Sequence, residues 1–318
     1  MQRSTVVINR TKSGPKNWSK RFYMYMKRNW VFYVLLLPAF VHILIIRYFP
    51  MYGVQIAFRK YKARTGITGS EWVGLKYFEQ FLNTPSFWQL IRNTLLLSGE
   101  TLLFSFPVPI ILALLLNEQR NLRLKKATQM ITYIPHFVST VAIIGIVDFL
   151  LNRQSGVLNS VLNVFGHESV NFMIKSEAFR PIYIISEIWQ HAGWNAIIYL
   201  ATLSGVDSEI LEAARIDGAN RFQVIRHINI PAIMPTIVTL LILSCGSLLT
   251  VGFEKVYLLQ NDAILDVSEI ISTYTYKMGI LNGQFSYTTA IDLFNNVINC
   301  IILFSVNAIS KKISGNGL

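Results

Sequence analysis

Charge is scarce in this chain. Asp, Glu, Lys and Arg make up 14% of its 318 residues, against about 25% in an ordinary soluble domain. The deficit argues against a surface built for water. Cysteine is almost missing as well. Cys245 and Cys300 both lie inside apolar runs, which suits two buried thiols and excludes a disulfide framework. No grouping of His, Cys, Asp and Glu has the spacing of a metal site. Residues 69–76 read GSEWVGLK, without the adjacent Gly-Lys-Ser/Thr that a phosphate-binding loop requires. There is no nucleophile elbow. No catalytic residue, no metal ligand and no bound cofactor is therefore expected in this chain.

Apolar length takes the place of charge. Hydrophobic residues form 52% of the chain and the mean hydropathy is +0.42. A helix needs about 20 mostly apolar residues to cross a bilayer. Six segments qualify: 30–49, 91–116, 128–151, 182–204, 232–253 and 290–309. The first is too long for the apolar core of a signal peptide, which runs to about 7–15 residues, so it is expected to remain as a span. The fold class expected is an all-α membrane protein of six transmembrane helices. Residues 1–29 form a tail and residues 30–318 the transmembrane domain.

The net charge of +12 does not point to nucleic acid, because the basic residues flank apolar runs. Lys and Arg favour the cytoplasmic side. With the N-terminus inside, segments 1–29, 117–127, 205–231 and 310–318 carry 17 of them, and the three outer loops 10. Both termini are thus expected in the cytoplasm. Arg47 and Arg92 sit near outer helix ends, where they can snorkel. The tail stretch 16–30, KNWSKRFYMYMKRNW, interleaves basic and aromatic residues. That pattern suits an interfacial helix on anionic lipid.

The loop 205–231, between the fourth and fifth spans, is too patterned to be a mere connector. Asp207 or Ser208 can cap a short helix, with Glu209 in its first turn, and Gly218 can end it. Asn220 and Gln223 form a capping box for a second helix. Phe222, Ile225 and Ile228 give that helix an apolar stripe. Small Ala213 and Ala214 allow close seating in a groove, and Glu212, Arg215 and Asp217 can set the register by polar contacts. A short rigid helix on the cytoplasmic face is what a separate motor protein needs as a lever.

Glu212-Ala213-Ala214, then Gly218, then Ile228-Asn229-Ile230-Pro231, resembles the EAA loop of binding-protein-dependent ABC importers. The spacing is kept throughout, with Ile230 where the family has Leu. Ile134-Pro135-His136-Phe137, Gly193-Trp194-Asn195 and Gly252-Phe253-Glu254-Lys255-Val256 resemble the oligosaccharide and polysaccharide permeases of the carbohydrate-uptake branch. So does Thr273-Tyr274-Thr275-Tyr276-Lys277-Met278-Gly279. The resemblance runs from about Trp30 to the C-terminus. It implies a type I importer permease fold in the plasma membrane of a bacterium. The implied partners are a second permease subunit, two ATPase subunits that hold ATP and Mg, and an extracellular sugar-binding lipoprotein. It also assigns ATPase coupling to Glu209, Glu212, Ala213, Ala214, Arg215, Asp217 and Gly218.

Polar residues within spans are costly and mark candidate paths. The fourth span holds Glu187, Gln190, His191, Trp194 and Asn195, where hydrogen-bonding groups and flat rings together suit a sugar. The sixth holds Asn295 and Asn299. The blander reading is interhelical glue for the amides and an interface belt for Trp; Glu187 can alternatively pair with Arg92 or Arg180. Rival functions are an ion-driven secondary carrier, an ABC permease for a non-sugar solute, and a membrane enzyme. The coupling-loop spacing weighs against the first, and the missing catalytic constellation against the last.

Overall fold

A computed structural model describes residues 18–314. The chain divides into two units, Met1–Gln55 and Ile56–Leu318. The first part of the basic–aromatic tail, residues 1–17, lies outside the described residues. The rest of it forms α1 (Trp18–Arg28), followed by α2 (Trp30–Ile43). Beyond α2 the helix tightens and loosens through a π turn and a 3-10 stretch. The apolar run Trp30–Phe58 is 29 residues long and holds an 18-residue stretch of mean hydropathy 2.1. A helix apolar all round is one made for lipid or a large core.

The second unit begins with a hairpin that the sequence did not suggest. Strands β1 (Arg59–Lys62) and β2 (Gly66–Trp72) pair antiparallel, Arg59 opposite Trp72. The Ser286 hydroxyl fixes the hairpin to the last helix, accepting from Tyr61 N at 2.9 Å and donating to Arg59 O at 2.7 Å. A short α3 (Lys76–Leu82) leads into α4 (Phe87–Ser105) and α5 (Pro107–Glu118). These two are one apolar rod of 32 residues, interrupted at Phe106, where Pro107 has no N–H to continue the ladder.

The third predicted span is not one helix. α6 (Leu122–Tyr133) and α7 (Thr140–Leu151) meet at 103° across a 3-10 turn, Ile134–Phe137. Pro135 removes a backbone donor there, and Ser139 restarts the chain by accepting from Ala142 N at 3.3 Å. After α8 (Val157–Val164) comes α9 (Ser176–Leu203), 28 residues long. Length would let it cross a membrane, but its polar residues keep it below the apolar content of the other rods. Gly193 explains how closely it packs. A Cβ on that residue would fall 2.1 Å from the carbonyl oxygen of Thr132 on α6, so only glycine permits this contact.

Then follow α10 (Ser208–Ile216), α11 (Arg221–Val224) and α12 (Ile230–Cys245), the last two joined by a π turn into a mostly apolar rod of 25 residues. The predicted fifth span ran to Phe253. The helix stops at Cys245, and residues 246–252 turn back toward α9. The short helices α13 (Phe253–Leu259), α14 (Leu265–Ser268) and α15 (Ile271–Tyr276) precede α16 (Phe285–Ser314). Among the described residues four rods are long and apolar enough to span a membrane, or five if α6 and α7 count as one broken span. Three clusters hold the second unit together. Ala113, Ala196, Tyr199, Leu203 and Ile233 join α5, α9 and α12. Leu97, Phe179, Tyr183, Val256 and Ile270 lie where α4 and α9 meet the short helices of 253–276. Phe81, Leu90, Tyr274 and Ile291 tie α3 and α15 to α16.

Candidate functional site

α4, α9, α12 and the 246–252 turn enclose an open cavity of about 840 Å³. Ser98, Thr101 and Ser105 recur along α4 at i, i+3 and i+7, so they share a face. Ser244, Ser247 and Thr250 line another wall. Four of these six hydroxyls donate to backbone carbonyls. Ser98 gives its proton to Thr94 O at 2.6 Å and also contacts Leu248 O. Ser244, Ser247 and Thr250 donate to Leu240 O, Ser244 O and Ser247 O. Their lone pairs remain as acceptors. The Thr101 and Ser105 hydroxyls have no partner among the described residues. The lining also holds aromatic and aliphatic surface from Phe106, Tyr183, Trp194, Tyr199 and Leu240.

Trp194 is braced from behind. Its ring stacks on His136 at 4.4 Å and 5°, and meets Phe137 edge-on at 5.5 Å. Both come from the 3-10 turn that breaks the third span, so the break positions this wall. His136 and His191 approach through their Nδ1 atoms at 3.1 Å, one donating and one accepting. Glu187 accepts from the Lys255 ammonium at 2.5 Å and lies 3.6 Å from His191 Nε2. Lys255 is only 4% exposed and sits 5.7 Å from the Tyr183 ring centroid.

The pairing suggested for Glu187 therefore needs correction. Its cationic partner is Lys255, neither Arg92 nor Arg180. The 246–252 turn brings α13 back onto α9, and Arg180 is engaged with Glu100 instead. Of the candidate path residues, Glu187, Trp194 and Asn195 line the cavity. Gln190, His191, Asn295 and Asn299 lie off its wall. Gln190 is buried and donates to Val138 O at 3.3 Å. His191 faces His136. The Asn299 carbonyl accepts from Leu249 N at 3.1 Å. Asn295 is buried with its carbonyl oxygen unpartnered among the described residues. Sequence reasoning missed the hydroxyl stripe because Ser and Thr scarcely dent an apolar run, though the i, i+3, i+7 spacing was there to see. It missed Lys255 because the residue follows an apolar run and reads as loop.

The second surface is the 205–231 loop. Asp207 caps α10, accepting from Glu209 N at 2.9 Å. Gly218 ends it at φ +82, a left-handed conformation that favours glycine. Asn220 and Gln223 exchange side-chain-to-backbone bonds at 2.8 and 2.9 Å, the capping box expected. The base of this unit is fixed. Val224 is buried, Ile225 and Ile230 pack on the α5–α9–α12 cluster, and Asn229 donates to Glu118 at 3.3 Å. Its tip is not covered. Ile210, Ile216 and Phe222 are 53%, 86% and 68% exposed. Phe222 thus departs from the apolar stripe expected for the second helix, while Ile225 and Ile228 keep to it. Glu209, Glu212, Ala213, Arg215, Asp217 and Gly218 are exposed too, and Ala214 is half-buried. Ala214, Asp217 and Gly218 border a cleft of about 300 Å³. Among the described residues none of the four charged ones forms an ion pair.

Residues 105–315 match the family described as binding-protein-dependent transport system inner membrane component. The polygalacturonan/rhamnogalacturonan transport system permease protein YteP of Bacillus subtilis (strain 168) is 44% identical over 95% of this chain and 94% of its own length. Protein LplB of the same organism is 44% identical over 92% of each. A solved bacterial alginate ABC transporter, in complex with alginate pentasaccharide-bound periplasmic protein, aligns at TM-score 0.85 and 39% identity. That alignment covers 94% of this chain and all of the matched one. The multi-pass, mostly helical architecture is thus the permease fold of ABC importers, and the chain belongs to the family of binding-protein-dependent transport system inner membrane components.

Proposed function

We propose that this chain is one permease subunit of an ATP-driven importer of oligosaccharides or polysaccharide fragments in a bacterial plasma membrane. In this reading α9 and the broken α6–α7 pair complete six spans, with both termini in the cytoplasm. The chain itself hydrolyses nothing. Two ATPase subunits bind ATP and Mg, and a second, different permease subunit closes the path. An extracellular lipoprotein delivers the sugar.

The observation that carries the proposal is the contrast within 205–231, whose base is buried and whose tip is bare. Burying a large apolar side chain contributes about 1.5–3 kcal/mol. Ile210, Ile216 and Phe222 therefore favour a protein partner, and Glu209, Glu212, Arg215 and Asp217 would set its register. A push on α10 passes through capped helices into the α5–α9–α12 cluster, whose next neighbours are the cavity walls. The cavity suits a saccharide. Hydroxyl acceptors match sugar O–H donors, and the braced Trp194 ring offers a flat apolar face. Relatives named for polygalacturonan and alginate transport support the same substrate class. For the cycle to be driven, the sugar must bind the outward and inward states with different affinity.

The test is a gentle detergent pull-down from the native membrane, followed by uptake in Gly218→Pro and Glu212→Lys variants. A second permease and an ATPase should accompany the chain. Both variants should reach the membrane yet lose ATP-driven uptake. A chain that comes out alone, or a variant with normal uptake, would overturn the reading.

A further inference from the structure

A second cavity, of about 460 Å³, lies between the outer ends of α4 and α9 and the α14 segment. Trp88 and Arg92 on α4, Arg180 on α9 and Asp266 on α14 contribute to its wall. The two cavities follow one another along the same two helices. On α4 the order is Trp88, Arg92, then Ser98 and Thr101. On α9 it is Arg180, then Tyr183 and Glu187. Arg92 and Ser98 are about 9 Å apart by helical rise. The outer cavity opens on the face of α4 opposite the hydroxyl-lined chamber, because Arg92 and Thr101 are about 180° apart around the helix.

Its chemistry differs from the chamber's. Arg92 is exposed and forms no ion pair among the described residues. Arg180 spends one nitrogen on Glu100, and a guanidinium carries five donors in a planar fork. The Asp266 carboxylate is occupied with the Ser176 hydroxyl, at 3.0 and 3.3 Å. The wall is rigid, because Asn93 donates to Asp266 O at 2.9 Å and Glu269 O at 3.0 Å, and Gln89 donates to Leu265 O at 3.2 Å. Trp88 is 76% exposed beside these groups. Unspent guanidinium donors next to an open indole fit a sugar that bears a carboxylate. The fork takes the carboxylate in two parallel bonds, and the ring covers the C–H face.

We infer that Arg92, Arg180 and Trp88 form an outer subsite for the carboxylate of a uronate-containing oligosaccharide. The subsite selects acidic over neutral sugars. This rests on the importer reading and narrows its substrate.

The test measures calorimetric binding of trigalacturonate and of galactotriose to the purified complex in nanodiscs of zwitterionic lipid. The wild type should prefer trigalacturonate. Arg92→Gln should weaken that preference about tenfold, the scale of one lost charge-assisted bond. Arg92→Lys should keep part of it. Asp266→Asn, which removes a repelling carboxylate, should strengthen it. Equal binding of the two trisaccharides by the wild type, no trigalacturonate binding, or an Arg92→Gln variant with unchanged preference would each overturn the subsite. An Arg92→Gln defect that appears only in phosphatidylglycerol nanodiscs would mark Arg92 as a lipid anchor and also overturn it. Galactotriose-stimulated ATP hydrolysis without acid preference would leave the importer reading standing while removing this one.

Discussion

Glu187→Gln takes away the only carboxylate that, among the described residues, pairs with an ammonium 4% exposed. Lys255 keeps the Tyr183 ring but no anion. Breaking a buried pair by removing one partner costs about 3–5 kcal/mol. Glu187 itself is 25% exposed, so cavity water reaches the gap and the lower end, about 3 kcal/mol, applies. Lys255→Met is the milder change. The surviving carboxylate is at the cavity edge, within reach of water and 3.6 Å from His191, and the loss falls near the exposed-pair scale of about 1 kcal/mol. The double variant leaves no orphaned charge and should lie close to wild type, because replacing both partners by neutral groups is often near-neutral.

One kcal/mol shifts a melting midpoint by about 2–4 °C at 150–250 residues. Glu187→Gln should therefore lower the midpoint by about 6–12 °C, Lys255→Met by about 2–4 °C, and the pair together by about 2 °C or less. Membrane complexes unfold irreversibly, so the assay is the fraction surviving as a monodisperse peak after heating at one fixed rate. If Lys255→Met is as damaging as Glu187→Gln, or if the double variant is no better than the worse single one, the buried ammonium is not what the carboxylate stabilises.

Three further changes probe other parts of the chain. Gly193→Ala puts a Cβ 2.1 Å from the Thr132 carbonyl oxygen, and backbone cannot step aside. Overpacking costs about 1–3 kcal/mol and should outweigh the gain of about 1 kcal/mol that alanine brings to a helix; a thermally stabilised variant would refute the contact. Asn159 is 1% exposed and its side chain bonds Asn152 O at 3.0 Å, Val170 O at 2.9 Å and Val170 N at 2.8 Å. Asn159→Ala strands these backbone groups at about 1–3 kcal/mol each, so the midpoint should fall by several degrees, and an unchanged midpoint refutes the hub. Thr101→Ala with Ser105→Ala removes two buried hydroxyls that have no partner among the described residues; relieving their desolvation should hold or raise the melting midpoint, and a midpoint lowered by several degrees would show that they are bonded.

Local signals proved readable where one short stretch decides the outcome. Asp207, Gly218, Asn220 and Gln223 each act within three or four residues, and each forms the cap or turn its chemistry dictates. Apolar length located the rods for the same reason. What stayed hidden depends on where distant segments meet. Lys255 gains its meaning only when the 246–252 turn folds back onto α9, and nothing near residue 255 reports that. Pro135 was visible, but the 103° bend it allows, and the Trp194 brace that bend supplies, were not. The same logic explains α9. Its polar residues lower its apolar content below that of the other rods, which would ordinarily weaken a span assignment. Yet those residues are Glu187, Asn195 and the His191–Gln190 pair, set against the cavity or against other helices rather than facing outward together. A helix that pairs its polar groups inside the bundle needs less apolar surface of its own. Low hydropathy in α9 therefore accompanies the cavity it lines, and under the proposed six-span reading it is what keeps α9 out of the count made from length and composition alone.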